Sequence, residues 1–276
     1  MRQKHRPNAT ADTIGLLVTL LLLPTDGLAQ HWDLQPSPIQ KIEAAGFTPS
    51  VETVIAVLND RNNPELRPIA ARALAQLHDT QPTDADEASF AALVAAISDD
   101  DLAVRVYAIQ ALGFFRRPES IQVLTEAFDH ESDAHLQYVI VGGLYKLRMP
   151  ENVSKFQEIA LNKAIGSKTR RMALAGTEDV GAQGDFAALG PVLDDRDPEV
   201  RSLAALIMAR KKAIEIDRLV EIAMDDDVAA LGGVGLIEQI ESIVGEQITD
   251  SSSFATHENR VRQLRVWWEK RTAASQ

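Results

Sequence analysis

The stretch "DRDPEVRSLAALIMAR", residues 195–210, contains Asp-Pro-Glu-Val-Arg, and a near twin, Asn-Pro-Glu-Leu-Arg, stands at residues 63–67. Each phrase has the chemistry of a helix start. Asn63 or Asp197 offers a side-chain oxygen as N-cap, and Pro64 or Pro198 takes the first helical position, where no amide is missed. Glu65 or Glu199 then faces the positive end of the helix dipole. Aligning on Arg201 finds the same context at Arg67 in "NPELRPIAARALAQL", Arg105 in "LAVRVYAIQALGFF" and Arg170 in "SKTRRMALAGTEDV". Gln137 holds the place in "AHLQYVIVGGLYKL", and Leu231 holds it in "VAALGGVGLIEQI". The intervals are 38, 32, 33, 31 and 30 residues, a period that signals stacked repeats rather than a single globular core. "HDTQPTDADE", residues 78–87, absorbs the longer first interval as a loop.

Each unit also has a preceding helix, marked by apolar residues at i, i+3, i+4 and i+7: Val51, Val54, Ile55 and Leu58, then Phe90, Leu93, Val94 and Ile97, then Ile216, Leu219, Val220 and Ala223. The units beginning near Ile121, Val153 and Phe186 fit this template more loosely. Composition agrees with helices: hydrophobic residues make up 45% and aromatic residues only 5%, which suits close helix packing better than strands. The expected fold is all-α, an α-α superhelix of about six helix-turn-helix units over residues 48–245. A mature N-terminal extension, residues 30–47, precedes it. A linker and an amphipathic helix, residues 246–276, follow. In "HENRVRQLRVWWEKR", residues 257–271, Val261, Leu264 and Trp268 lie at i, i+3 and i+7 among five basic residues. Because a repeat array leaves its terminal apolar face uncovered, this helix is expected to cap it, with its bases toward the acidic body.

These residues resemble the HEAT repeat family in its short bacterial form, which also occurs in phycobilisome-lyase-like proteins. The resemblance rests on an acidic residue six positions before the arginine, Asp99 with Arg105 and Asp195 with Arg201, and on the small-residue pattern Ala108, Ala111, Leu112, Gly113. It covers about residues 48–245 and departs from the pattern at Gln137, Leu231 and "LGGVG". It implies a solenoid in which Arg67, Arg105, Arg170 and Arg201 form a structural ladder with acidic groups of the turns. It implies little about activity.

The first residues carry a different message. Arg2, Lys4 and Arg6 precede an apolar run, Ile14 to Leu23, which Pro24 breaks, and Gly27-Leu28-Ala29 offers small residues before Gln30. Residues 1–29 are therefore expected to be a signal peptide, with an exported, periplasmic or secreted protein as the product. The run is short of the roughly 17–25 apolar residues of a spanning helix, so no integral span is expected in the mature chain. The chain has no cysteine, which excludes disulfides, thiolate metal sites, a cysteine nucleophile and a lipid-anchored cysteine. Removing residues 1–29 takes away three bases and two acids, leaving 25 against 38 and a net charge of −13. Nucleic acid, which needs a basic face, is not an expected partner.

Few constellations suggest chemistry. "DHESDAH", residues 129–135, gathers His130 and His135 with Asp129, Glu131 and Asp133, but in a turn rather than on one helix face. His130-Glu131 and His257-Glu258 are similar to the His-Glu pairs of HEAT-like deoxyhypusine hydroxylases, yet only two pairs occur and neither lies at the arginine position. The acidic turns at Asp99–Asp101, Asp194–Asp197 and Asp225–Asp227 lack the alternation and glycine of a calcium loop and are expected to cap helices. No metal site, cofactor or catalytic residue is assigned, and the chain is not expected to be an enzyme.

The second helices are more informative. At 100° per residue, the side opposite Val104, Ala108 and Leu112 carries Val106 and Gln110. The equivalent positions are Tyr138 and Gly142, Arg171 and Ala175, Ser202 and Leu206. These would line the concave face, and exposed apolar surface there marks a binding groove. The expected function is an exported, non-catalytic scaffold or adaptor that binds a protein or peptide partner. The alternative is an enzyme or enzyme subunit: a lyase-like member of the repeat family, or a metal-dependent hydrolase using the His130/His135 turn.

Overall fold

The computed structural model describes residues 36–80, 85–115, 117–180, 184–231, 235–249 and 256–274. The expected signal peptide lies outside them. The described residues are helical, with no strand among them, and fall into two compact units divided between Leu147 and Arg148.

In the first unit, α1 (Pro38–Ala44) starts with a capping box, in which the Ser37 hydroxyl accepts from the Gln40 amide and the Gln40 carboxamide accepts from the Ser37 amide. Its Ile42 is fully buried and the helix packs on α3 (Arg67–Thr80), so the segment expected as a plain extension covers the open side of the first repeat. Three hairpins follow: α2 (Val51–Asn59) with α3, α4 (Ala85–Ala96) with α5 (Leu102–Leu112), and α6 (Pro118–His130) with α7 (Ala134–Leu147). The second helices α3, α5 and α7 pack side by side, and α2 packs on α4, giving two helical layers. Of the apolar positions named above, Val54, Leu58, Leu93, Val104, Ala108 and Leu112 are buried in the core, together with Leu74 of α3.

The second unit repeats the scheme with more irregular first helices. α8 (Val153–Leu161) pairs with α9 (Ser167–Val180), and a 3-10 helix (Phe186–Asp194) pairs with α10 (Pro198–Arg210). Pro191 sits inside that 3-10 stretch, where its missing amide and ring prevent the α-helical bonding that the earlier first helices have. α11 (Ile216–Ala223) then packs on α10 and on α13 (Leu236–Val244), with the short α12 (Asp226–Ala230) between them.

Three boundary expectations change. α3 begins at Arg67, not after Asn63, because the Asn63 carboxamide donates to Asp60 (2.5 Å) rather than capping, and residues 64–66 form a turn. The 78–87 loop is shorter than expected, since α3 runs to Thr80 and α4 starts at Ala85. The last repeat has no continuous second helix. Gly235 enters α13 at φ +72°, a left-handed conformation that a helix interior does not admit, so "VAALGGVGLIEQI" is split into α12 and α13. Residues 232–234 of that stretch lie outside the described residues.

α14 (His257–Ala273) lies on α12 and α13 through Val261 and Leu264, both buried. Its bases meet the acidic groups below: Arg260 donates to Glu238 (2.6 Å), and Arg265 to Asp226 (2.6 Å) and the Met224 carbonyl. Trp268, expected on the apolar face, is only part-buried, beside Trp267, whose indole donates to Glu246 (2.5 Å). Among the described residues no helix is long and apolar enough to cross a membrane.

Candidate functional site

The repeated arginines organise both units from the turns inward. Arg67 donates from Nε to the Leu58 carbonyl (2.8 Å) of its own hairpin and grips both carboxylate oxygens of Asp99 in the next. Arg170 makes the same two-sided clamp, from Nε to the Ile165 carbonyl (3.0 Å) and bidentate to Asp195. Arg201 donates to the Asp195 carbonyl (2.7 Å) and to the Asp225 carboxylate (2.9 Å). Arg105 holds the Asp99 carbonyl (2.7 Å), and Gln137 reproduces that bond with the Glu131 carbonyl (2.8 Å). The six-residue spacing has a simple cause: the long side chain of the fourth residue of the helix folds back over the turn that precedes it.

The aspartates of the turns divide the remaining work. Asp101, Asp133, Asp197 and Asp225 accept from backbone amides at the starts of α5, α7, α10 and α12. Asp99 and Asp195, between clamp and cap, accept from the Asp101 and Asp197 amides as well as from arginine. Burial pushes both carboxyls up, but the arginine and amide donors outweigh it and hold them below the usual carboxylate value. Arg170 and Asp195 are each 2% exposed, so these carboxylates are structural and not open to a ligand.

The turn at His130 is solvated. His130 and His135 are exposed, and Asp133 is occupied as the cap of α7. Among the described residues, no three His, Cys, Asp or Glu side chains stand together as an ion would require.

On the second helices, the eight positions named from the sequence separate by exposure. Val106, Gln110, Tyr138 and Arg171 are part-exposed. Gly142, Ala175, Ser202 and Leu206 are buried and cannot touch a partner. On α10 the reason is visible: it packs against α11, α12 and α13, and Leu206 lies under Gly235, whose Cβ, if present, would stand 3.7 Å from it. Arg171 is ion-paired to Glu199.

The 100° step on an isolated helix does not single out two aromatic residues on α5 and the turn that follows it. Tyr107, part-exposed on α5, and Phe114, 53% exposed in the turn two residues past its end, stand seven residues apart in the sequence. An aromatic pair at that spacing, flanked by core positions already assigned, was the signal that could have found them.

The model of the HEAT repeats family matches residues 51–145, which cover the three hairpins of the first unit. No curated protein matches the chain. The clamp from Arg67 to Asp99 joins neighbouring hairpins inside that match, and residues 51–145 carry HEAT repeats.

Proposed function

We propose that the chain is an exported, non-catalytic scaffold or adaptor that binds a protein or peptide partner on the face of its second helices. HEAT repeats commonly serve as protein-interaction scaffolds, and the observation that carries the reading here is the part-apolar stripe on α5 and α7, with Val106, Gln110 and Tyr138 part-exposed between buried core positions. The clamps support it from behind. The Arg67–Asp99 pair locks the first hairpin to the one that carries α5, and a surface held in place this way loses little entropy on binding. Residues 1–29 are proposed as the export signal, cleaved before Gln30.

The test places a photo-crosslinking residue at Gln110 or Tyr138, with Glu52 and Glu126 on first helices as controls, and crosslinks in envelope extract. One protein captured at the second-helix positions and absent from the controls supports the reading. Capture confined to the control positions would move the binding face to the first helices. N-terminal sequencing of the exported protein should begin at Gln30, and a chain that retains Met1 would remove the export proposal.

A further inference from the structure

The protein carries a net charge of −12, yet one of its open faces has no acid on it. No Asp or Glu occurs in α5 or α7, or in α3 from Arg67 to Leu77. What this face does carry is aromatic and cationic. The Arg72 guanidinium of α3 lies over the Tyr107 ring of α5, 5.2 Å from its centroid. The Lys146 ammonium of α7 lies over the Phe114 ring, 4.6 Å from its centroid. The helices are close enough for this because Gly113 meets Gly143. A Cβ on Gly113 would stand 2.8 Å from the Gly143 carbonyl oxygen and 3.2 Å from Lys146 Cβ, so any larger residue would push the lysine off the ring.

Neither cation is neutralised by a carboxylate among the described residues, unlike Arg67, Arg170 and Arg201 in the turns. Lys146 is held below the usual lysine value, first by burial and then by the charge of Arg72, which means the two cations repel each other across α5. An anion between them would relieve both penalties at once. The rings beneath supply apolar contact and hold each cation in place. Tyr107 lies on α5 and Phe114 in the turn just past its end, so the two cations stand at separate points along that edge.

We propose that this face docks an acidic peptide segment of a partner protein, with two carboxylates reaching Arg72 and Lys146 and an apolar side chain resting on Phe114. The proposal rests on the scaffold reading above and names the chemistry of its partner.

The test selects random peptides of about 12 residues, displayed in a library, on the immobilised full chain, and then measures the winners by fluorescence anisotropy against wild type, Arg72→Glu, Lys146→Gln and Phe114→Ala. The expected winners are acidic, with at least two Asp or Glu each. Each substitution should weaken them at least about tenfold while the far-UV circular dichroism is kept, and binding should fall as salt shortens the screening length from about 10 Å at 0.1 M to about 3 Å at 1 M. Winners that are neutral or basic, or acidic winners indifferent to all three substitutions, overturn this proposal and leave the scaffold reading standing. Self-association of the chain that Arg72→Glu abolishes would put a second copy on the face instead, and also overturns it. Enrichment of no peptide at all counts against both readings.

Discussion

At the scale of the residue, the decisive group is the repeated arginine, and its two ends are unequal in energy. A bond to a carbonyl of its own hairpin positions the side chain, whereas the bidentate contact with a buried aspartate is a committed ion pair. Arg170→Met leaves Asp195, 2% exposed, with a buried charge and no cation, and should cost about 3–5 kcal/mol. Arg105→Met removes bonds to the Asp99 and Asp100 carbonyls, and should cost only about 1–2 kcal/mol. Chemical denaturation of the two variants checks the order, and Arg170→Met combined with Asp195→Leu should recover most of the loss because it removes the stranded charge. A double variant no better than the single one would mean that the clamp holds the hairpins by geometry the apolar pair cannot replace. The register of these arginines was legible from the sequence, since the side chain recurs at each helix start. Their acceptors were legible only in kind. That Arg67 and Arg170 reach forward to the next hairpin while Arg105 reaches only back depends on where each turn carries its aspartate in space.

Among the elements, close approach decides more than helix propensity does. Gly176 on α9 faces the Phe156 ring of α8, and a Cβ there would stand 2.6 Å from the ring, which is itself fully buried and has nowhere to go. Gly176→Ala should therefore destabilise by about 1–3 kcal/mol, although alanine is the better helix former. Gly176→Ala with Phe156→Leu should be closer to wild type, and thermal melts of the pair read the difference. Lys212, just past α10, sits at φ +57°, with its amide on the Ala209 carbonyl (3.1 Å) and the Ala213 amide on the Met208 carbonyl (2.7 Å). Lys212→Gly relieves an unfavourable backbone and should raise stability by up to about 1 kcal/mol, while Lys212→Val should lower it. The pairing of helices was legible because apolar residues recur at helical spacing. The 3-10 form of 186–194 and the split second helix of the last repeat were not, since Pro191 and Gly235 act through backbone geometry that periodicity does not register. The binding stripe was half legible for a related reason. A fixed 100° step finds Val106 and Gln110 on an isolated helix, but which residues stay open depends on what packs above, as at Leu206.

For the whole molecule, the same carboxylates and His257 together predict which part fails first in acid. Asp99, Asp195 and Asp225 are each pushed up by burial, then brought below the ordinary value of 3.8 by arginine and amide donors. A depressed carboxyl stabilises the fold where it is ionised, so that contribution is complete above about pH 4 and is lost as pH falls through the lower folded values, because the unfolded chain takes up the proton first. His257 adds a second, earlier limb. Burial, and then the charge of Arg260, lower it from 6.5 against the pull of Glu238, so the fold prefers it neutral. Stability tied to His257 is therefore present above about pH 6.5 and declines as the unfolded imidazole protonates below that. Lowered carboxyls occur in both units, Glu52, Asp60, Asp99 and Asp133 in residues 1–147 and Asp195 and Asp225 in residues 148–276, whereas the earlier His257 limb belongs to residues 148–276 alone among the described residues. Acid should consequently loosen residues 148–276 first. Hydrogen exchange read residue by residue from about pH 8 to about pH 3 should show α9, α10 and α12 losing protection before α3 and α5, with His257→Gln flattening only the limb near pH 6.5. Equal loss in both units would mean that His257 does not set the order, and earlier loss in α3 and α5 would place the weak point at Asp99, where the carboxylate is 12% exposed rather than 2%.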